Sequence, residues 1–159
     1  MTAFKLLFFK LYLFVLSLWM GALVYTALAE NEAWYADPIG YIEHVTSYPV
    51  PGASNPMWIL MLFVTVCTLL CSIVFFLYQG PGKKTAYISL SATVFLLLAT
   101  YFYFQPEYET LFDVLYNFNP QVVSMSRTWI VLNYIRIILL MITFFIGLIA
   151  LAKFRTVKK

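Results

Sequence analysis

The sequence predicts an all-α integral membrane protein, a bundle of four antiparallel helices with both termini in the cytoplasm. Three observations carry this reading. Of 159 residues, 63% are hydrophobic and only 11% charged, whereas a soluble domain carries about 25% charge. The apolar residues gather in four unbroken runs, each close to the roughly 20 residues that cross a bilayer as a helix. The charges separate by side: the basic residues flank one set of run ends, and the acids lie beyond the other.

The chain reads as one domain over residues 1–159, with spans at about Leu11–Ala29, Met57–Tyr78, Thr85–Phe104 and Thr128–Ala152. Backbone groups in lipid must bond internally, so continuous runs of this length are helices. A β-barrel would show alternating segments of about ten residues instead. The first run has a rival reading as a signal peptide, because Lys5 and Lys10 precede it and Ala27-Leu28-Ala29 resembles a cleavage site. Its length exceeds the roughly 7–15 residues of a signal core, which favours a retained span.

Lys5, Lys10, Lys83, Lys84, Lys153, Arg155, Lys158 and Lys159 mark one side. All seven acids (Glu30, Glu32, Asp37, Glu43, Glu107, Glu109 and Asp113) fall in the two loops of the other, with Arg127 the one base among them. Short loops rich in Lys and Arg stay cytoplasmic. The formal charge of +3 is therefore a topology signal and no sign of nucleic-acid binding, which needs a clustered basic face. The setting expected is the inner (plasma) membrane of a bacterium, with loops 30–56 and 106–127 outside.

Between spans two and three, Gln79-Gly-Pro-Gly-Lys-Lys84 is a tight turn of breaker residues. In the outer loops, Ile39–Tyr48 fits a short interfacial helix, and Leu111, Val114, Leu115 and Phe118 mark another amphipathic turn. Gly21 and Ala22 would admit a close helix neighbour. Trp34, Trp58 and Trp129 lie near outer helix ends, where an aromatic belt belongs. An aromatic-lined pocket would use the same residues.

Chemistry-bearing residues are few. Cys67 and Cys71 share a helix face, but i,i+4 spacing on a straight helix is poor disulfide geometry, and packing is the favoured reading. His44 is the only histidine, so no bis-His haem or His-rich metal site is expected. As a loop residue it reads as exposed, with proton transfer near neutral pH as the alternative. No metal and no cofactor are expected. Phosphate-loop, nucleophile-elbow, zincin and dinucleotide motifs are absent.

The fourth span holds the informative pattern. Ser126, Trp129, Asn133 and Arg136 are spaced 3, 4 and 3, one stripe on one helix face. Arg136 lies about 12 Å below the helix start at 1.5 Å per residue. A charge at the centre of a span costs roughly 2.5–3.5 kcal/mol on insertion scales, so such residues face the interior and mark function by default. No acid occurs within a span. Glu30, at the outer end of the first span, is the nearest candidate partner, followed by Glu32 and Glu43. Trp19, Leu23, Thr26 and Glu30 form a matching stripe there. These residues suggest an outward-opening cavity between the first and fourth helices, with Arg136 at its floor, Asn133 and Trp129 on its wall and Glu30 at its rim. An Arg–Glu pair that only pins two helices fits equally well.

The same residues bring out a family likeness. Met20–Glu30 (MGALVYTALAE), Ser47-Tyr48-Pro49, and Trp129, Asn133 and Arg136 at the head of the fourth span resemble the anthrone-oxygenase-like family of small four-span membrane proteins. The resemblance covers nearly the whole chain in layout and rests on short motifs. It implies a four-helix membrane fold and, for some members, cofactor-free oxidation of an aromatic anthrone to a quinone. On that implication Glu30 or His44 would be the base, Arg136 the cation holding the enolate, and Asn133 and Trp129 would orient the ring. Two departures stand out. Asn133 replaces a histidine common in the family and cannot act as a base, and Asn31 stands where a proline commonly follows the first-span acid.

The function expected is therefore binding, or oxidation, of an apolar carbonyl-bearing, quinone-like or aromatic ligand in an outer-half cavity. Arg136, Glu30 and His44 are the candidate catalytic residues; Trp129, Asn133, Arg136 and Ser126 are the candidate ligand contacts. The alternative is a non-catalytic accessory or scaffold subunit of a membrane complex. A transporter fits least, with no repeat and no lined polar path. The expected partners are membrane lipid, a hydrophobic small molecule and other protein chains, the same or different.

Overall fold

The computed structural model describes residues 3–37, 40, 56–76, 78–104, 106 and 122–155, with no side-chain description at 3, 29–35, 56–58, 122–126 and 155. Four long helices form: α1 over Ala3–Ala36, α2 over Pro56–Phe76, α3 over Lys83–Ala99 and α4 over Val122–Arg155. A π-helical turn, Thr100–Phe104, extends α3. Each helix holds a stretch long and apolar enough to cross a membrane: Phe4–Leu28, Ile59–Phe76, Lys83–Phe104 and Arg127–Phe154. The chain is an all-α, multi-pass membrane protein.

The helices overrun the expected spans. Glu30 and Glu32, expected in a loop, lie on α1. Asn31 stands where a proline would have stopped the helix, and the next helix breaker is Pro38. At 34 residues, α1 and α4 are each about 51 Å long, well beyond the roughly 30 Å hydrocarbon core. Proline begins α2 at Pro56, where its missing N–H has no partner to lose. The interfacial helix expected at Ile39–Tyr48 falls outside the described residues apart from Gly40. Leu111, Val114, Leu115, Phe118, His44 and Glu43 fall outside them altogether.

The bundle closes in chain order: α1 packs on α2 and α4, and α3 on α4 and, less extensively, α2. One end is built from aromatic rings. Phe9, Phe75 and Phe154 stand 5.2 Å apart centroid to centroid, and Tyr78 is edge-on to Phe75 and Phe154 at 5.5 and 5.6 Å. Beside them the α2–α3 turn closes through Gly82 at φ 82°, a left-handed conformation that suits glycine. Lys5 lies over the Tyr78 ring and Lys153 bonds Thr85. The chain start, the short turn and the end of α4 therefore share this basic end.

Polarity is inverted relative to a soluble bundle. Phe102, Phe76 and Ile73 are 79%, 72% and 69% exposed, while Ser89, Thr93, Asn133 and Arg136 are buried. Lipid accepts the apolar exterior, and hydrogen bonds between helices hold the inside. Tyr12 Oη of α1 meets Ser89 Oγ at 2.9 Å and Thr93 Oγ1 at 2.7 Å on α3. Ser89 in turn donates to the Thr143 carbonyl of α4 at 3.0 Å.

The close helix approach expected at Gly21 is absent: a Cβ there would meet nothing within 4 Å. It occurs instead at Gly147, where a Cβ would stand 2.5 Å from Leu13 Cδ2 and 3.1 Å from Ser89 Oγ. Gly21 is exposed because its face of α1 points outward. Cys67 and Cys71 are free and buried, and Cys71 Sγ donates to the Phe8 carbonyl at 3.1 Å. They pack α2 against α1.

Candidate functional site

The hydroxyl layer at Tyr12 fixes the register of the interior. Seven residues is two helical turns, which returns to nearly the same face about 10 Å further along. From Tyr12 that step leads to Trp19, from Thr93 to Thr100, and from Thr143 back to Arg136. All three end points are buried, Trp19 at 0%, Thr100 at 5% and Arg136 at 6% exposure. A second polar layer therefore lies two turns away from the first, toward the end opposite the basic one.

Arg136 is held from several directions. Its Nη2 donates to Asn133 Oδ1, one turn earlier on α4. Its Nη1 donates to Thr100 Oγ1 of α3 at 3.4 Å. Its Cζ lies 4.1 Å from the centroid of the Phe104 ring, a cation–π stack on α3. Thr100 and Phe104 open and close the π-helical turn. Such turns are rare and recur at functional sites. The Phe104 carbonyl, at the end of that turn, accepts from Trp129 Nε1 at 3.5 Å. Trp129 thus ties α4 to the end of α3.

Among the described residues, three buried N–H donors at this level have no acceptor: Arg136 Nε, Asn133 Nδ2 and Trp19 Nε1. Buried polar groups are seldom left so, and each invites an explanation. Beside Arg136 lies a cavity of about 350 Å³ between α3 and α4, lined by Phe95, Leu96, Ala99, Tyr103, Phe104, Leu132, Ile135, Arg136 and Leu139. Arg136 is the one charged residue in this lining, and Tyr103 is the one other residue there with a polar side-chain atom. Phe95, Tyr103, Ile135 and Leu139 are exposed, so the groove opens sideways to lipid.

This differs from the cavity expected between the first and fourth helices. Trp129, Asn133 and Arg136 of the polar stripe do face the interior, but α4 packs on both α1 and α3. Tyr134 takes the α1 side, its hydroxyl donating to the Ala27 carbonyl at 3.3 Å. Arg136 is turned the other way, to Thr100 and Phe104.

Of the expected ligand contacts, Arg136 lines the groove, Asn133 sits behind it fully buried, and Trp129 caps α3. The side chains of Ser126, Glu30 and Glu32 lie outside the described residues, as does the whole of His44. Among the described residues no acid pairs with Arg136, and no cluster of His, Cys, Asp or Glu could hold a metal. Sequence reasoning passed over Thr100, Phe104 and the Tyr12 network. A signal was available in the spacing of Ser89, Thr93 and Thr100 at 4 and 7, a hydroxyl stripe on one face of α3.

No family model, no curated protein and no solved structure matches the chain.

Proposed function

We propose that this protein binds an apolar molecule bearing a carbonyl or anionic oxygen, a quinone-like or aromatic compound included, in the groove between α3 and α4. Arg136 is its polar contact. One observation carries the reading: Arg136, buried and with a spare guanidinium N–H, lines a largely apolar groove. Ligand sites are typically apolar clefts with a few placed polar groups. By the distribution of Lys and Arg, the basic end is cytoplasmic and the site lies in the outer half of a bacterial inner membrane. The reading is one of binding. The base that oxidation needs would come from Glu30 or His44, and in the anthrone-oxygenase-like resemblance Arg136 would be the cation that holds the enolate.

A structural role for Arg136, in an accessory or scaffold subunit, is favoured by the bond that joins it to Thr100 across α3 and α4. Mass spectrometry of small molecules co-purifying with wild type and with Arg136→Leu separates the two readings. A quinone, aromatic or acid retained only by wild type supports binding. Identical lipid profiles from two well-folded samples support the scaffold.

A further inference from the structure

We propose that the groove's occupant is a single-chain amphiphile with a carboxylate head, entering sideways from the bilayer between α3 and α4. This rests on the binding role proposed above for the same groove and narrows it to one ligand class.

The donor inventory selects the head. Guanidinium carries five N–H hydrogens and no acceptor. Bonds to Asn133 and Thr100 engage two of them. Arg136 Nε–H is left without an acceptor among the described residues. An ionised carboxylate is acceptor-only and takes up to about four bonds, so it meets the free guanidinium N–H groups without adding a hydrogen that needs an acceptor of its own. Charge points the same way. Among the described residues no acid stands beside Arg136, and a cation buried in hydrocarbon needs a counter-charge. A bidentate Arg–carboxylate pair is among the stronger polar contacts available.

The walls select the tail and its route. Phe95 is 65% exposed, Ile135 47%, Leu139 42% and Tyr103 42%, so the groove continues into the lipid-facing surface without a charged rim. Arg136 lies nine residues inside the span that begins at Arg127, about 13 Å along the helix. A head that deep must be compact. A phospholipid would drag its phosphate, glycerol and second chain below the interface, while a carboxylate on one chain buries two oxygens only.

The test is equilibrium binding of hexadecanoate, methyl hexadecanoate, 2-heptadecanone and hexadecanol to the protein in phosphatidylcholine nanodiscs. Wild type is compared with Arg136→Gln and with Leu132→Trp, which fills the groove and leaves Arg136 in place. Saturable hexadecanoate binding is expected against the phospholipid background. It should weaken about 10- to 100-fold in Arg136→Gln, the range of a lost charged hydrogen bond, and be lost in Leu132→Trp. Ester, ketone and alcohol should each bind at least about 10-fold more weakly than the acid. Ketone or ester binding as tight as the acid, still dependent on Arg136, overturns the carboxylate assignment and leaves the carbonyl-binding reading standing. Hexadecanoate binding unchanged in a folded Leu132→Trp overturns the groove as the site. Saturable binding by none of the four overturns the amphiphile, and the co-purification profile then decides the broader reading independently.

Discussion

Arg136 lies face-on to Phe104, its Cζ 4.1 Å from the ring centroid, across the junction of α4 and the π-helical end of α3. The contact offsets part of the cost of a guanidinium in a span without a described acid. The ring supplies a negative face, and Thr100 and Asn133 supply acceptors.

Replacing Phe104 with leucine keeps an apolar side chain and removes the quadrupole. The expected loss is about 1–2 kcal/mol, the range of a desolvated cation–π contact. Thermal unfolding in mild detergent reads it, and Phe104→Tyr should retain most of the stability. Equal stability of the leucine variant would show that the stack contributes nothing.

Asn133→Asp places a carboxylate against Arg136 Nη2. The pair then satisfies the charge within α4, and the fold should be at least as stable as wild type. Binding of an anionic ligand should fall about 10-fold or more, because the new acid takes its place. Titration of ligand into folded Asn133→Asp checks this. Undiminished affinity would mean that Arg136 is not the contact.

The hydroxyl layer should behave as a coupled unit. Tyr12→Phe and Thr93→Val each break the 2.7 Å bond, at an expected cost of about 1 kcal/mol apiece. The double variant should cost less than the sum, with a coupling of about 0.5–1.5 kcal/mol. Strict additivity in a double-mutant cycle would exclude the bond as a stabilising contact.

Gly147→Ala should destabilise by about 1–3 kcal/mol through overpacking, since its Cβ would meet Leu13 Cδ2 at 2.5 Å. Leu13→Ala in the same chain should recover part of that loss. Absence of any rescue in melting curves would place the strain elsewhere.

The helices were legible because continuous apolar runs with one basic side have few other interpretations. The end of α1 was not. Glu-Asn-Glu-Ala-Trp-Tyr-Ala reads as a loop by polarity, yet it holds no helix breaker before Pro38. Asn133 and Arg136 were legible because polar side chains at helical spacing stand out in a span. Thr100 and Tyr12 do not stand out. A threonine in a membrane helix can satisfy itself on the carbonyl four residues back, as Thr65 does on Met61 and Thr100 on Leu96, and only packing decides which also serves a neighbour. The side of α4 that Arg136 favours was equally hidden. Periodicity defines a face toward the interior, and that interior is shared by α1 and α3.

The groove binds a ligand only if Arg136 faces a ligand oxygen. A cryo-electron map of the protein extracted with its own lipids, bound to an antibody fragment for size, tests it most directly. Non-protein density is expected in the α3–α4 groove within hydrogen-bond distance of the Arg136 guanidinium. An empty groove, with the Glu30 carboxylate on Arg136 instead, would contradict it and make the arginine a helix pin.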